Sequence, residues 1–515
     1  MASEGVRGTP MGPILIACLA LAALTLVLPA TPTYDPWAWI LWGREITQLD
    51  LVTNGGPSWK PLPVMFTTVF ALFGDDAAPL LWLWIARAGG FFSLVMAFRL
   101  ARRVLTDLTR ESNRPSKMTG VVGGVAAAAF LATTYNYARD AALGNSEPLL
   151  AGLALWAFER HLDGRRDHAF LLGFAVALLR PEAWPFIGLY GLWLLVKEPR
   201  MRLPVIVCGL LIPALWFLPE VWGSGDALRA STRANDPNPE SAAFAEHPGL
   251  EVAYRFTTRT LWTIQATAAV GLLVALFGFF RFRTQRPALF LAAIGLAWLL
   301  VVCLMTELGY AGNQRYLIVT TAAICVLGGV GVARMFQGVR VGVERLSGSP
   351  RVGLAGAAGV LLLACLSLIP VIRDKADNTE RVVEKLGYEA SLWEELPGVI
   401  EKAGGRDGLV RCGGVYSGPF QTQMVAYALD LHGENIGTLQ TPAPGVAFRT
   451  HTIPNGPLVA KITDDRFREV TSNRRWIVAT APRDDEIGDS CPAASPDAPR
   501  APAKDYTPEL VTIFP

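Results

Sequence analysis

Apolar runs long enough to cross a bilayer recur along this chain, separated by short polar stretches rich in arginine. A span needs about 20 apolar residues. The pattern predicts spans near 12–30, 78–98, 119–134, 147–160, 168–180, 183–197, 203–222, 261–280, 287–306, 315–334 and 352–372. The first run ends in small residues, as a signal peptide does, but more apolar runs follow, so it is read as an uncleaved span. Arg180-Pro181-Glu182 divides 168–197 into two marginal halves, read as a hairpin with charges near one membrane face. After Arg373 the pattern turns soluble. Ser391–Gly404 predicts an amphipathic helix, Gly408–Val415 and Arg475–Thr480 predict short strands, and 490–504, rich in Pro and Ala, predicts a poorly ordered end.

Charge placement orients the spans. Basic clusters at Arg99–Lys117, Arg160–Arg166, Lys197–Arg202, Arg281–Arg286 and Arg334–Arg351 all fall on one side if eleven spans are threaded in order. Cytoplasmic loops carry the excess of Lys and Arg, so the N-terminus is expected inside and the tail outside. The expected fold is an α-helical polytopic membrane protein of about eleven helices with a small extracytoplasmic α/β or α+β domain. Residues 1–372 form the membrane domain, with outer loops at 31–77 and 223–260, and 373–515 form the soluble domain. The second loop, with its DPNP and HPG turns, is expected to be either a mobile lid or a solvated loop.

Composition agrees: 51% of residues are hydrophobic and 17% charged, against about 25% charged in soluble domains. A net charge of +2 without a long basic tract gives no case for nucleic-acid binding. No Walker loop, GxGxxG, CxxC or Cys/His cluster occurs, so nucleotide and structural zinc sites are not indicated. Cys412 and Cys491 alone lie in the polar tail, and an oxidising compartment would allow them to pair. His432 and His451 are read as exposed or structural.

The richest stretch is Tyr34–Phe73, which carries Asp35, Arg44, Glu45, Asp50 and Lys60 among Trp37, Trp39, Trp42 and Trp59. Tryptophan favours the membrane interface, where its ring is apolar and its N–H wet. Nucleotide-sugars are cytoplasmic, so sugar transfer on the outer face calls for a polyprenyl-phosphate donor. Such chemistry needs a carboxylate base for the acceptor hydroxyl and cations for the leaving phosphate. Asp35, just past the first span with Asp-Pro favouring a fixed turn, is either the candidate base or a plain cap or turn residue. Lys60 beside Trp59, Arg180, and Arg315 beside Tyr316 are the candidate phosphate contacts, each with snorkelling as its plain alternative. Glu147, opening the fourth span before Pro148, is either a helix-initiating acid or a second site carboxylate. Glu182 either braces the broken helix with Arg180 or joins the site, and Arg87, inside the second span, is expected to pair with a carboxylate.

These residues fall in an order that resembles the GT-C superfamily of membrane glycosyltransferases, most closely the branch of protein O-mannosyltransferases and the lipid A aminoarabinose transferase. The matching features are Asp35 after the first span, Lys60-Pro61-Leu62-Pro63, Ala86-Arg87, Glu147 in SEPLLAGL, Arg180-Pro181-Glu182 and Arg315-Tyr316. The resemblance implies an inverting transfer with Asp35 as base, Glu147 as second acid, and Lys60 and Arg315 on the donor phosphate. It implies a polyprenyl-phosphate sugar, mannosyl or arabinosyl, as donor and a glycan, lipid or protein as acceptor. A divalent cation, Mg or Mn, is the one cofactor in question, because Asp35-Pro36 stands where many relatives carry two adjacent acids. The alternative is a transporter or lipid flippase, which would favour paired broken helices in matching halves; only one broken segment is seen.

Overall fold

A computed structural model describes residues 10–106, 117–237, 239–282, 285–367, 369–438, 441–482 and 491–492. Arg110, Arg114, Arg283 and, apart from Cys491 and Pro492, the expected Pro- and Ala-rich end lie outside them. The chain begins with α1 (Met11–Thr25), α2 (Tyr34–Gln48), α3 (Pro61–Ala71), α4 (Ala77–Thr106), α5 (Lys117–Ala132), the short α6 (Tyr137–Ala142) and α7 (Glu147–Leu162). It continues with α8 (Arg166–Ala177), α9 (Trp184–Lys197), α10 (Arg202–Ser224), the short α11 (Arg229–Ala234), α12 (Pro248–Arg259), α13 (Trp262–Phe282) and α14 (Arg286–Glu307). The helices α15 (Ile318–Ser347), α16 (Pro350–Ser367) and α17 (Ile369–Lys402) lead into the tail domain. Each stretch expected to span is helical, and among the described residues five helices are long and apolar enough to cross a membrane. Leu189, Leu203, Phe277 and Leu300 are exposed on their helices, a surface suited to lipid.

The bundle is built around α15. Its run Val326-Leu327-Gly328-Gly329-Val330-Gly331 is buried. A Cβ on Gly329 would lie 2.3 Å from the Gly123 carbonyl oxygen of α5, and one on Gly331 would lie 1.9 Å from that of Thr267 on α13. Small residues therefore bring three backbones into direct contact, the usual way membrane helices pack without a hydrophobic driving force between them.

The tail domain adds α18 (Gly405–Val410), α19 (Thr422–Leu429) and strands β1 (Gly414–Ser417), β2 (Ile436–Gly437), β3 (Gly445–His451), β4 (Leu458–Val459), β5 (Arg468–Ser472) and β6 (Ile477–Ala481). The sheet order is β2-β1-β3-β6-β5, with β1 parallel to both neighbours, β6 antiparallel to β3 and β5, and β4 paired to β3. Cys412 and Cys491 form a disulfide.

Several expectations are corrected. The strand foreseen over Gly408–Val415 is α18 followed by β1, because its register partner in β3 starts only at Gly445. The segment 223–260 is not a bare loop: it contains α11 and α12, and α12 buries Val252 and Phe256 against the bundle. The tryptophans of α2 are not half wet. Trp37, Trp39 and Trp42 are at most 1% exposed, because Trp393 and Tyr427 of the tail domain and Trp82 of α4 cover them.

The packing of α15 yields a test. Gly331→Ala should lower stability by roughly 1–3 kcal/mol, the cost of overpacking a tight contact. Gly338→Ala, on the same helix but with open space around it, should not. Thermal unfolding midpoints in detergent separate the two.

Candidate functional site

Four local breaks in helical structure bring the charged residues together. Thr33 N–H donates to the Leu143 carbonyl at 3.0 Å, which seats Asp35 in the first turn of α2. Lys60 is extended (φ −139°, ψ 111°) just before Pro61, and Leu62 N–H donates to the Leu178 carbonyl at 3.1 Å, joining the start of α3 to the end of α8. Pro181 cannot continue a helix and forces the residue before it to be extended; Arg180 has φ −148° and ψ 130°, so the hairpin expected between α8 and α9 is present. Gly312, at φ +60°, turns the chain where a Cβ would meet Thr306 at 2.6 Å, and the Asn313 side chain caps the turn that starts at Gln314 and carries Arg315.

The side chains converge on the carboxylate of Glu147. Its Oε1 accepts from Arg180 and lies 3.8 Å from Lys60 Nζ and 3.9 Å from Arg315 Nε. Arg315 Nη2 donates to Asp35 Oδ2 at 2.7 Å. Lys60 also donates to Ser146 Oγ at 3.4 Å and sits over the Trp39 ring, while Arg180 lies 4.1 Å from the centre of the Tyr316 ring. Glu147 Oε2 is buried without a partner, an orphaned acceptor in a site otherwise rich in donors.

This cluster floors a cavity of about 1170 Å³ at the end of the bundle that carries the tail domain. Asp35, Trp59, Lys60, Glu147, Arg180, Arg315 and Tyr316 line it. Trp59 does so mainly as a packing ring, against Trp42 and with its N–H on the Leu215 carbonyl. Glu182 is wholly buried behind Arg180, 3.9 Å from the guanidinium, and does not line the cavity. Arg87 is also outside it and does not pair with a carboxylate as expected. It donates to the carbonyls of Thr25, at the end of α1, and Ala142, at the end of α6.

The cluster's fields act on its outer members. Burial would raise the Asp35 carboxyl, but Arg315 and Lys60 outweigh it and hold it below its ordinary value. Burial, aided by Arg180, lowers Lys60 to about 8 against the pull of Glu147 and Asp35. A residue not singled out from the sequence also lines the cavity: Asp140, in α6, which burial and then the neighbouring Glu147 raise to about 7. Its signal was an acid two helical turns before Glu147. No group of three or more His, Cys, Asp or Glu side chains converges on a metal-sized site among the described residues.

The fold, a helical membrane bundle with a small sheet domain on one end, is shared with solved structures. The comparisons that carry this are two crystal structures of ArnT from Cupriavidus metallidurans. The one bound to undecaprenyl phosphate matches with TM-score 0.52 and 14% identity over 92% of this chain and 99% of that one. The apo structure matches with TM-score 0.51 and 14% identity over 91% and 97%. No family model and no curated protein matches the sequence.

Removing one member of a buried ion cluster leaves an uncompensated charge, at a cost of roughly 3–5 kcal/mol. Arg180→Met should therefore destabilise the fold strongly, and adding Glu147→Met should recover only part of the loss, because the buried Glu182 still lacks Arg180. Chemical denaturation of the purified protein in detergent measures both.

Proposed function

We propose that the chain transfers a sugar from a polyprenyl-phosphate donor to a hydroxyl acceptor on the extracytoplasmic side of the plasma membrane, with inversion at the anomeric carbon. The observation that carries this is the convergence of Lys60, Arg180 and Arg315 on one buried carboxylate beside Asp35, at the bundle end that carries the tail domain. The ArnT neighbour bound to undecaprenyl phosphate supports the donor class. The disulfide in the tail supports an oxidising compartment for that face.

In this reading the donor phosphate takes the cations that Glu147 and Asp35 now share. Binding of the phosphate to Arg315 loosens the Arg315–Asp35 pair and frees the Asp35 carboxylate to face the acceptor hydroxyl. The acceptor oxygen forms its bond to the anomeric carbon as the carbon–oxygen bond to phosphate breaks. The proton passes to Asp35, and the polyprenyl phosphate leaves with the electron pair, its charge met by Lys60 and Arg315. A divalent cation does not fit beside Glu147, because three cationic side chains already point at that carboxylate and would repel it, so no step is routed through a metal.

Asp35→Asn keeps the shape and removes the base. Membranes containing the variant at wild-type abundance should transfer label from polyprenyl-phosphate mannose or arabinose on the order of 10²–10⁴-fold more slowly. Equal rates would remove Asp35 from this role.

The pH profile provides a second check. Lys60, lowered to about 8 from 10.5, is charged below that pH and neutral above it. Its attraction for phosphate is present at low pH and lost as pH rises. kcat/KM for the donor, which reports the free enzyme, should be level below pH 8 and fall above it. Lys60→Arg should move that limb upward.

A further inference from the structure

The cavity extends beyond the charge cluster. Its outer walls come from two segments that the transfer step does not use: 228–241, containing α11, and the tail-domain turns at 419–422 and 433–438. Both walls are fixed relative to the cluster. Arg229 makes a paired hydrogen bond to the buried Glu220 and donates to the carbonyls of Gly56 and Pro57, while Ser58 Oγ donates to the Ala230 carbonyl. Those contacts tie α11 to the segment that ends in Lys60. On the other side, Gln423 Nε2 donates to the Gly55 carbonyl at 2.7 Å, Arg44 to the Tyr427 carbonyl at 3.0 Å, and the Tyr427 hydroxyl to Asp75. Thr422 and Gln423 also act on the Tyr34 hydroxyl, one residue from Asp35. The tail domain thus meets Tyr34, the residue next to the candidate base.

The chemistry of the outer walls differs from that of the floor. Around the floor, Lys60, Arg139, Arg180 and Arg315 outnumber Asp35, Asp140 and Glu147. In the outer region Arg233, Arg255 and Arg259 are matched by Asp236, Glu240 and Glu434. Two of those arginines are already engaged, Arg233 with Asp236 and Arg255 with Glu251 at 2.6 Å. No net field is left to draw an anion. Hydroxyl and amide groups such as Ser231, Asn235 and Thr438 remain, and the half-buried Phe420 also lines the cavity. Polar groups around an aromatic face suit a sugar, which offers hydroxyls at its edge and C–H groups on its face. The volume, about 1170 Å³, exceeds the roughly 300–1,000 Å³ of ordinary ligand pockets. It has room for more than the donor head.

We infer that the acceptor is a neutral, hydroxyl-rich glycan seated between 228–241 and the tail-domain turns, with Phe420 as its stacking face. The inference rests on the glycosyl-transfer reading above and names its acceptor.

The test uses the full chain in nanodiscs with labelled polyprenyl-phosphate mannose and arabinose. The acceptors are neutral octyl di-mannoside and di-arabinofuranoside, a phosphorylated octyl glycoside, and a Ser/Thr peptide. Stabilisation by undecaprenyl phosphate is measured alongside. A neutral glycoside should accept label in preference to the other two. Phe420→Ala should raise its KM about tenfold without changing the donor KM or the stabilisation by undecaprenyl phosphate, and Phe420→Trp should restore it. Preference for the peptide or the phosphorylated glycoside, or an unchanged acceptor KM in Phe420→Ala, would overturn the inference. Stabilisation with no transfer to any acceptor would count against the acceptor class alone. Neither stabilisation nor transfer would remove the glycosyltransferase reading, and this inference with it.

Discussion

The structure depends on keeping one carboxylate charged in a place where water is scarce. Glu147 is 1% exposed at the start of α7 and is tolerated only because Lys60, Arg180 and Arg315 surround it. An isolated charge so deep would cost many kcal/mol, which forces either neutralisation or pairing. Each partner comes from a different break in the helical bundle: the start of α3, the turn between α8 and α9, and the turn before α15. The cluster therefore fixes how four separate segments meet. The cluster is not saturated, since Glu147 Oε2 and the Nε atoms of Arg180 and Arg315 are buried without a hydrogen-bond partner.

The tail domain completes that arrangement rather than hanging from it. Trp393 and Tyr427 cover Trp37 of α2, while Trp39 packs on Trp82 of α4 and Trp42 on Trp59. His432 bridges Glu45 at 2.9 Å and Asp50 at 3.4 Å, and Arg139 of α6 pairs with Glu389 of α17 at 3.1 Å. Apolar cover and ion pairs act together, so the domain is held at several points around the cavity mouth. A cavity framed by two rigid walls keeps its shape before ligand arrives, which reduces the ordering that binding must supply.

Most of the helical bundle was legible in the sequence because membrane spans follow a local rule. The bilayer demands a long apolar run with its backbone hydrogen bonds made internally, and such runs show without knowledge of neighbours. The break at Pro181 was legible for the same reason, since proline's effect on Arg180 is local. Arg87 was misjudged because a buried arginine can meet a helix's unpaired carbonyls as well as a carboxylate, and the choice depends on which helix end packs beside it. The tail strand at 408–415 failed for a related reason: a strand's limits are set by its partner, which lies thirty residues on.

The order of Asp35, Lys60, Glu147, Arg180 and Arg315 along the chain was determined by the sequence alone, as were the apolar runs that separate them. That the three cations share a single oxygen of Glu147, that Arg315 holds Asp35, and that Asp140 joins them was decided only by tertiary packing. So was the contribution of Phe420 and Thr422 to the cavity's outer wall. The reason is physical. Apolar periodicity is a property of neighbours in sequence, whereas Coulomb attraction and cavity shape depend on distances between residues brought close only when α15 and the tail domain dock.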